Sequence, residues 1–190
     1  MNRIGGRLCF RRFRAWGSLL ALALSVTMAM AAIEAVDIDG HTLTLDAPGH
    51  VTAVISSSPE TQNRTRDAGG LLDRYRGRTD FRIVIVVDLR SSFAGVFPGI
   101  VRSQMRESLE AEAARLKPFY LAHGNPRNPR EETEAIADFD GALCEKLAWA
   151  DTPDRLRVVV FGRNGKELGR WSDLTDYAPL QKTVSAALEK

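Results

Sequence analysis

Cysteine is scarce in this sequence: of 190 residues, only Cys9 and Cys144 carry a thiol. Cys9 lies in an N-terminal segment that we expect to be removed, which leaves Cys144 alone. A single cysteine cannot form an internal disulfide, a C-x-x-C redox pair or a cysteine-ligated zinc site. The three histidines, His41, His50 and His123, are far apart and lack the spacing of metal ligands. The sequence therefore predicts no metal, no cofactor and no catalytic residue.

Acidic residues are absent from the first 31 positions, which contain five arginines. An apolar run from about Trp16 to Met30 follows, and it ends in Ala29-Met30-Ala31, a pattern typical of signal-peptide cleavage. We therefore expect residues 1–31 to be a cleaved signal peptide and residues 32–190 to form a single domain, periplasmic or secreted. The apolar run is shorter than the roughly 18–20 residues of a spanning helix, so no stable membrane anchor is expected after cleavage.

Removal of this segment changes the charge balance. Five of the 26 basic residues and none of the 24 acidic residues lie in it, so 21 basic and 24 acidic residues remain and the net charge moves from +2 to −3. Nucleic-acid binding depends on a basic surface, so we expect no nucleic-acid partner. A single domain of the remaining length buries about 70% of its unfolded surface, which is enough for a stable core.

Apolar patterns place the strands. Alternating residues on both sides of Asp39-Gly40 predict a short hairpin, and near-continuous apolar runs predict buried strands. Asn164-Gly165 is typical of a two-residue hairpin turn. The strands predicted after the first hairpin are Val51–Ile55, Phe81–Leu89, Ala135–Phe139, Leu156–Phe161 and Lys166–Trp171.

Helical signals fall between these strands. Ser58 is a typical N-cap and Pro59 suits the first helical position, so we expect a helix from Ser58 to Gly77. Its Gly69-Gly70 pair lowers helix propensity and predicts close packing on the sheet or a kink. The other predicted helices are Gly99–Tyr120, Gly141–Ala148 and a last helix capped by Asp176.

The element order, β-β-β-α-β-α-β-α-β-β-α, predicts an α/β domain with a central mixed sheet, an antiparallel C-terminal hairpin and helices on both faces. VTAVISSSPETQN, residues 51–63, resembles the strand-to-helix segment of thioredoxin- and peroxiredoxin-like proteins. DFDGALCEKLAWADTPDRLRVVVFGRNGKELGRW resembles their C-terminal half. More narrowly, GIVRSQMRES and LAWADTPDRLRVVVFGRNGKEL, together with the signal peptide, are similar to the YtfJ family of exported bacterial proteins.

This resemblance implies a thioredoxin-like fold without the redox C-x-x-C, in a family that lacks a settled biochemical role. In thioredoxins the cysteine motif of the strand-to-helix segment faces a cis-proline directly before a strand. Pro153 is the corresponding proline here, but Asp154, Arg155 and Leu156 follow it before the apolar strand proper. Its isomer and its proximity to residues 56–62 are open at this point.

The candidate binding residues are Ser57, Ser58, Pro59, Thr61 and Pro153. Hydroxyl groups stay protonated near neutral pH and cannot exchange disulfides, so this segment offers no thiol chemistry. A helix N-terminus can instead hold an anion or a partner's carboxylate.

Cys144 lies beside Leu143 and is expected to be a small buried hydrophobe. The leading hypothesis is an exported protein without redox cysteines that binds a protein partner or a small ligand. The alternative is an oxidoreductase of the same fold with an atypical site, which needs Cys144 exposed and near the helix N-terminus. A third hypothesis, a hydrolase using Ser57 or Ser58, needs a histidine within hydrogen-bond reach.

Overall fold

A computed structural model describes residues 32–90, 93–149 and 153–189. The predicted signal peptide, residues 1–31, lies outside these ranges. Within them, no helix has both the length and the apolar character needed to cross a membrane.

Two sheets are present in the described residues. The predicted hairpin is formed by β1 (Glu34–Val36) and β2 (Thr42–Thr44), which pair antiparallel. A five-stranded sheet has the order β5-β4-β3-β6-β7, in which β3, β4 and β5 run parallel and β6 and β7 run antiparallel to their neighbours. Its strands are β3 (Val51–Ser57), β4 (Phe81–Asp88), β5 (Glu134–Asp138), β6 (Val158–Phe161) and β7 (Glu167–Trp171). The predicted mixed sheet and its antiparallel C-terminal hairpin are confirmed.

The described residues form four α-helices, three between strands and one after the last strand. They are α1 (Gln62–Leu71), α2 (Pro98–Ala122), α3 (Ala142–Lys146) and α4 (Ala178–Leu188). A short 3-10 helix, Asp73–Tyr75, follows α1. The predicted capping of α4 by Asp176 is wrong, because Tyr177 holds the N-cap position. The Asp176 carboxylate instead accepts a hydrogen bond from the backbone N–H of Ala178, the first residue of the helix.

The predicted start of α1 is wrong. The helix begins at Gln62 with Thr61 at its N-cap position, so Ser58 does not cap it and Pro59 does not occupy its first turn. The reason is a separate turn that precedes the helix, in which Ser58 and Thr61 exchange hydrogen bonds. These bonds satisfy the backbone N–H groups of both residues before the helix starts.

The core lies on both faces of the sheet because side chains of a strand alternate between faces. Val51, Ala53 and Ile55 of β3 pack in one cluster with residues of α1 and α4. Val54 packs in a second cluster with residues of β2 and α3. The prediction of helices on both faces is therefore confirmed.

Candidate functional site

The predicted site lies at the carboxyl end of β3, where the chain turns into α1. Here β3 is flanked by parallel β4 on one side and antiparallel β6 on the other. Ser56 is anchored to the residue before β6: its backbone N–H donates to the Arg157 carbonyl at 2.9 Å, and its Oγ accepts from the Arg157 N–H at 2.8 Å. We call residues Ser57–Thr61 the junction.

Two hydroxyl groups face each other in the junction. The Oγ of Ser58 and the Oγ1 of Thr61 are 3.1 Å apart. The Ser58 backbone N–H donates to Thr61 Oγ1 at 2.9 Å, and the Thr61 N–H donates back to Ser58 Oγ at 3.2 Å. Both side chains are buried, and they are three residues apart, which is the spacing of the cysteines in a C-x-x-C motif.

Pro153 completes this arrangement. The Ser58 hydroxyl donates to the Pro153 carbonyl at 2.8 Å, across 95 residues of sequence. The open question of proximity is thereby answered, since Pro153 does face the junction. The isomer of the Thr152–Pro153 bond involves residue 152, which lies outside the described residues. The structure therefore brings Ser58, Thr61 and Pro153 together.

The other two predicted residues, Ser57 and Pro59, are placed differently. Ser57 is half-buried, and its hydroxyl bonds to no other described residue. It lines a cavity between α1 and α2 rather than the hydroxyl pair. Pro59 is exposed, and so is Glu60 beside it. The junction thus has a buried polar interior and an exposed edge.

Among the described residues, no histidine lies within hydrogen-bond reach of a serine nucleophile at the junction. His41 is 3.2 Å from Asp37 beside the first hairpin, and the His123 ring is 2.8 Å from the Arg74 carbonyl. His50 directly precedes β3, at the other end of the strand. The hydrogen-bond partners of Ser58 Oγ are hydroxyl, carbonyl and amide groups, which do not supply general-base catalysis. In the same described ranges, no group of three or more His, Cys, Asp or Glu side chains is placed to hold a metal ion.

Cys144 is buried, as predicted, and lies away from the junction. It packs in the cluster on the face of β3 opposite to α1. Burial raises the pKa of its thiol, and the neighbouring carboxylates of Asp138 and Asp88 raise it further. Asp138 also accepts hydrogen bonds from the Leu143 and Cys144 N–H groups, so it caps α3. A thiol with a raised pKa stays protonated and is a poor nucleophile.

A second feature near the junction was missed by sequence reasoning. A cavity of about 270 Å³ lies between α1, α2 and the sheet, with Ser57 at one side and Arg76 in its lining. Arg76 is only 6% exposed, and its buried Nε has no hydrogen-bond acceptor. We call this space the Arg76 cavity. Nothing in the surrounding sequence, RYRGR, marks one arginine as buried, since arginine is rarely buried without a partner.

Comparisons with known proteins agree on the fold. No protein-family model matches the chain, and the comparison with curated protein sequences finds no match. Solved structures do match. One is dsbF of MTB, with a TM-score of 0.50 and 14% identity, covering 81% of this chain and 93% of that chain. A thioredoxin-like protein from Neisseria meningitidis matches with a TM-score of 0.52 and 16% identity, over 84% of this chain and 89% of that chain.

A third match is a thiol:disulfide interchange protein of the thioredoxin family from Chlorobium tepidum TLS. Its TM-score is 0.51 at 10% identity, and the match covers 83% of this chain and 93% of that chain. At such low identity the likeness concerns the backbone fold alone. This chain therefore has a thioredoxin-like fold.

Proposed function

We propose that this protein is an exported, YtfJ-type thioredoxin-fold protein that performs no thiol chemistry and acts by binding a protein partner or a small ligand. The proposal rests mainly on one observation. Where a thioredoxin-type enzyme needs a reactive cysteine pair, this chain has Ser58 and Thr61, with their hydroxyl groups hydrogen-bonded to each other and to Pro153. Export to the periplasm is part of the proposal and is supported by the sequence of residues 1–31.

The chemistry of hydroxyl groups supports a binding role. Disulfide exchange requires a thiolate, which a helix N-terminus stabilises by lowering the cysteine pKa. A hydroxyl group does not ionise near neutral pH, and these two are already engaged in internal hydrogen bonds. Cys144 cannot replace them, because it is buried in another part of the core and burial raises its pKa.

The exposed edge of the junction is the surface that we assign to a partner. Pro59, Glu60 and Gln62 are exposed directly beside the buried hydroxyl pair. The pair fixes the backbone of this turn from within, so the edge is presented in one conformation. A pre-organised edge lowers the entropy cost of binding.

A redox assay separates this proposal from the rival oxidoreductase. The purified protein should neither reduce insulin disulfides nor consume peroxide with a thiol reductant. The double variant Ser58→Cys/Thr61→Cys restores the C-x-x-C spacing and should gain insulin-reducing activity, which shows that the assay can detect chemistry at this position. Activity in the unaltered protein that disappears in Cys144→Ser would overturn the proposal.

Site-specific cross-linking tests the assigned surface. A photo-activatable residue at Pro59 should give a discrete cross-linked species in intact cells. The matched control is Asn164, in the β6–β7 turn at the opposite end of β3, where no such species is expected. Equal cross-linking at both positions, or at neither, would contradict the assignment of the partner to the junction edge.

A further inference from the structure

The Arg76 cavity contains a charged group whose hydrogen bonds are missing. Arg76 is 6% exposed, and its guanidinium donates no hydrogen bond to, and forms no ion pair with, any residue in the described ranges. Burying a charge without hydrogen bonds is costly. Burial lowers the pKa of Arg76, yet an arginine remains protonated at any physiological pH. The charge therefore requires an acceptor.

Two of the nearby carboxylates, those of Asp73 and Glu112, are already engaged by a different arginine. Arg115 donates to both oxygens of Asp73, at 2.5 and 3.0 Å, and to both oxygens of Glu112, at 2.9 and 2.7 Å. These two acids lie close enough to Arg76 to interact with it through space, but neither accepts a hydrogen bond from it. The donors of Arg115 are thus satisfied and those of Arg76 are not.

The cavity wall offers further donors. Ser57 and Gln62 lie at the junction side, and Arg66 is exposed on α1. The lining includes three arginines and two glutamates. Of the two glutamates, Glu112 is held by Arg115. Glu134 lies 3.9 Å from Arg82, and its buried Oε2 accepts no hydrogen bond from the described residues. The uncommitted donors of Ser57, Gln62, Arg66 and Arg76 still outnumber the acceptors of this one carboxylate.

The two glycines of α1 keep the wall of the cavity open. A Cβ at Gly69 would meet no atom within 4 Å, and one at Gly70 would meet only Asp73 Oδ2 at 3.9 Å. Neither glycine has a positive φ. Of the two expectations for Gly69-Gly70, close packing on the sheet is therefore wrong. The other, an interruption of the helix, agrees with the end of α1 at Leu71 and the 3-10 helix that follows. Alanine at these positions would favour the helix, so close packing does not account for the glycines, and their lack of side chains leaves this side of the cavity open.

We infer that the Arg76 cavity binds a carboxylate group, whose two oxygens accept the unsatisfied hydrogen bonds of the Arg76 guanidinium. The planar fork of arginine matches a carboxylate. A monoanion adds one negative charge beside the two glutamates, whereas a phosphate dianion would add two. A cavity of about 270 Å³ is far larger than the roughly 30 Å³ share of one water molecule, so it can hold a small organic group.

This inference rests on the proposed binding function and names the ligand chemistry for the pocket beside the junction. Two sources share that chemistry: a small free acid and the C-terminus of a peptide. Acetate represents the first, and N-acetylalanine represents the second. N-acetylalaninamide has the same shape as N-acetylalanine without the charge, so it is the matched control ligand.

The test follows the Nε–H resonance of Arg76 by NMR, in protein purified from cells that express the full chain, at constant ionic strength. Saturable shifts with acetate or N-acetylalanine, and none with N-acetylalaninamide, are expected. A response to N-acetylalanine alone assigns the site to peptide C-termini, and an equal response to both assigns it to small acids. The absence of a saturable shift with either carboxylate overturns the inference.

Two cavity variants, each with a matched control, separate loss of binding from loss of the fold. Arg76→Met should abolish carboxylate binding, measured by calorimetry, whereas Arg74→Met, an exposed arginine two residues away, should bind as the unaltered protein does. Gly70→Leu should fill the cavity and weaken binding at least tenfold without unfolding the protein. Asp67→Leu, exposed elsewhere on α1, is its control. Unchanged binding in both Arg76→Met and Gly70→Leu overturns the assignment.

The outcomes of the two proposals remain distinguishable. Insulin-reducing activity in the unaltered protein would overturn the proposed function, whatever the NMR titration gives. Failure of carboxylate binding in a redox-inactive protein would overturn only the inference about Arg76.

Discussion

The junction and the Arg76 cavity lie side by side, but they treat buried polar groups in opposite ways. At the junction, the hydroxyl groups of Ser58 and Thr61 and the carbonyl of Pro153 satisfy one another. In the cavity, Arg76 is buried and its Nε has no acceptor. Since buried polar groups are nearly always hydrogen-bonded, the first arrangement is complete in the protein alone. The second becomes complete when a ligand supplies acceptors.

The largest effect is expected from breaking the satisfied arrangement. Ser58→Ala leaves the Pro153 carbonyl without its hydroxyl donor and removes one of the two acceptors of the Thr61 N–H, which keeps its bond to the Ser58 carbonyl. It should therefore lower the free energy of unfolding by about 1–3 kcal/mol. Urea denaturation measures this loss. Ser57→Ala is the matched control, since its hydroxyl bonds to no described residue, and it should change stability by less than about 0.5 kcal/mol. Equal effects of the two variants would contradict the hydrogen bonds described here.

Asp80 is a carboxylate with two arginine partners, in contrast to Arg76, which has no hydrogen-bonded partner among the described residues. Hydrogen bonds from Arg78, at 2.9 and 3.0 Å, oppose the effect of burial and, with a bond from Arg163, hold the pKa of Asp80 far below its ordinary value. Asp80→Asn should lower the free energy of unfolding by roughly 1–2 kcal/mol at pH 7.

The pH dependence of that loss checks its origin. A carboxylate whose pKa is depressed in the folded state stabilises the protein above the unfolded pKa of about 4. Its contribution disappears as the pH falls through the folded value. The stability gap between the unaltered protein and Asp80→Asn should therefore narrow below about pH 4. A gap that stays constant with pH would show that the charge of Asp80 does not contribute.

A smaller effect, an increase in stability, is expected where glycine leaves the cavity wall without a side chain. Gly69→Ala should raise the free energy of unfolding by up to about 1 kcal/mol, because alanine favours a helix and its Cβ meets no atom within 4 Å. Gly77→Ala is the contrasting control: φ is +86° there, and a Cβ would approach Tyr120 Cα to 2.6 Å, so stability should fall. Thermal denaturation of both variants checks the sign of each change.

The smallest effect is expected at Cys144. Cys144→Ser is nearly isosteric, and Asp138 remains beside it to accept a hydrogen bond, so stability should fall by less than about 1 kcal/mol. Because burial raises the thiol pKa, iodoacetamide should modify the folded protein at pH 8 far more slowly than the urea-unfolded protein. Comparable rates in the two states would show an accessible thiol and would favour the rival oxidoreductase.

The sequence predicts the strands of the sheet correctly, but it does not predict the hydrogen bonds at the junction or the burial of Arg76. Strands and turns can be predicted from short stretches of sequence. The apolar run Phe81–Leu89 predicts a buried strand by itself, and Asn164-Gly165 predicts a hairpin turn by itself. The start of α1 could not be predicted, because Ser58 and Pro59 form a valid helix signal on their own. Only the return hydrogen bond from the Ser58 N–H to Thr61 moves the helix to Gln62.

The Arg76 cavity was beyond sequence reasoning for a different reason. Four arginines occur between Arg66 and Arg78, and they are chemically identical in the sequence. Which of them is buried depends on how α2 packs against the 3-10 helix Asp73–Tyr75, where the Arg115–Asp73 pair joins residues 42 positions apart. Proximity of Pro153 to the junction was open for the same reason, since it depends on a contact across 95 residues.

The reciprocal hydrogen bonds of Ser58 and Thr61 also constrain how this protein can evolve. A change at either position leaves the other without its partner, so the effects of two substitutions are coupled rather than additive. Conversion of this chain to a C-x-x-C protein by two successive substitutions, or the reverse, passes through a single-substitution variant. We expect that variant to be less stable than the protein with two hydroxyls and than the protein with two thiols. Related chains should therefore carry two hydroxyls or two thiols at these positions far more often than one of each.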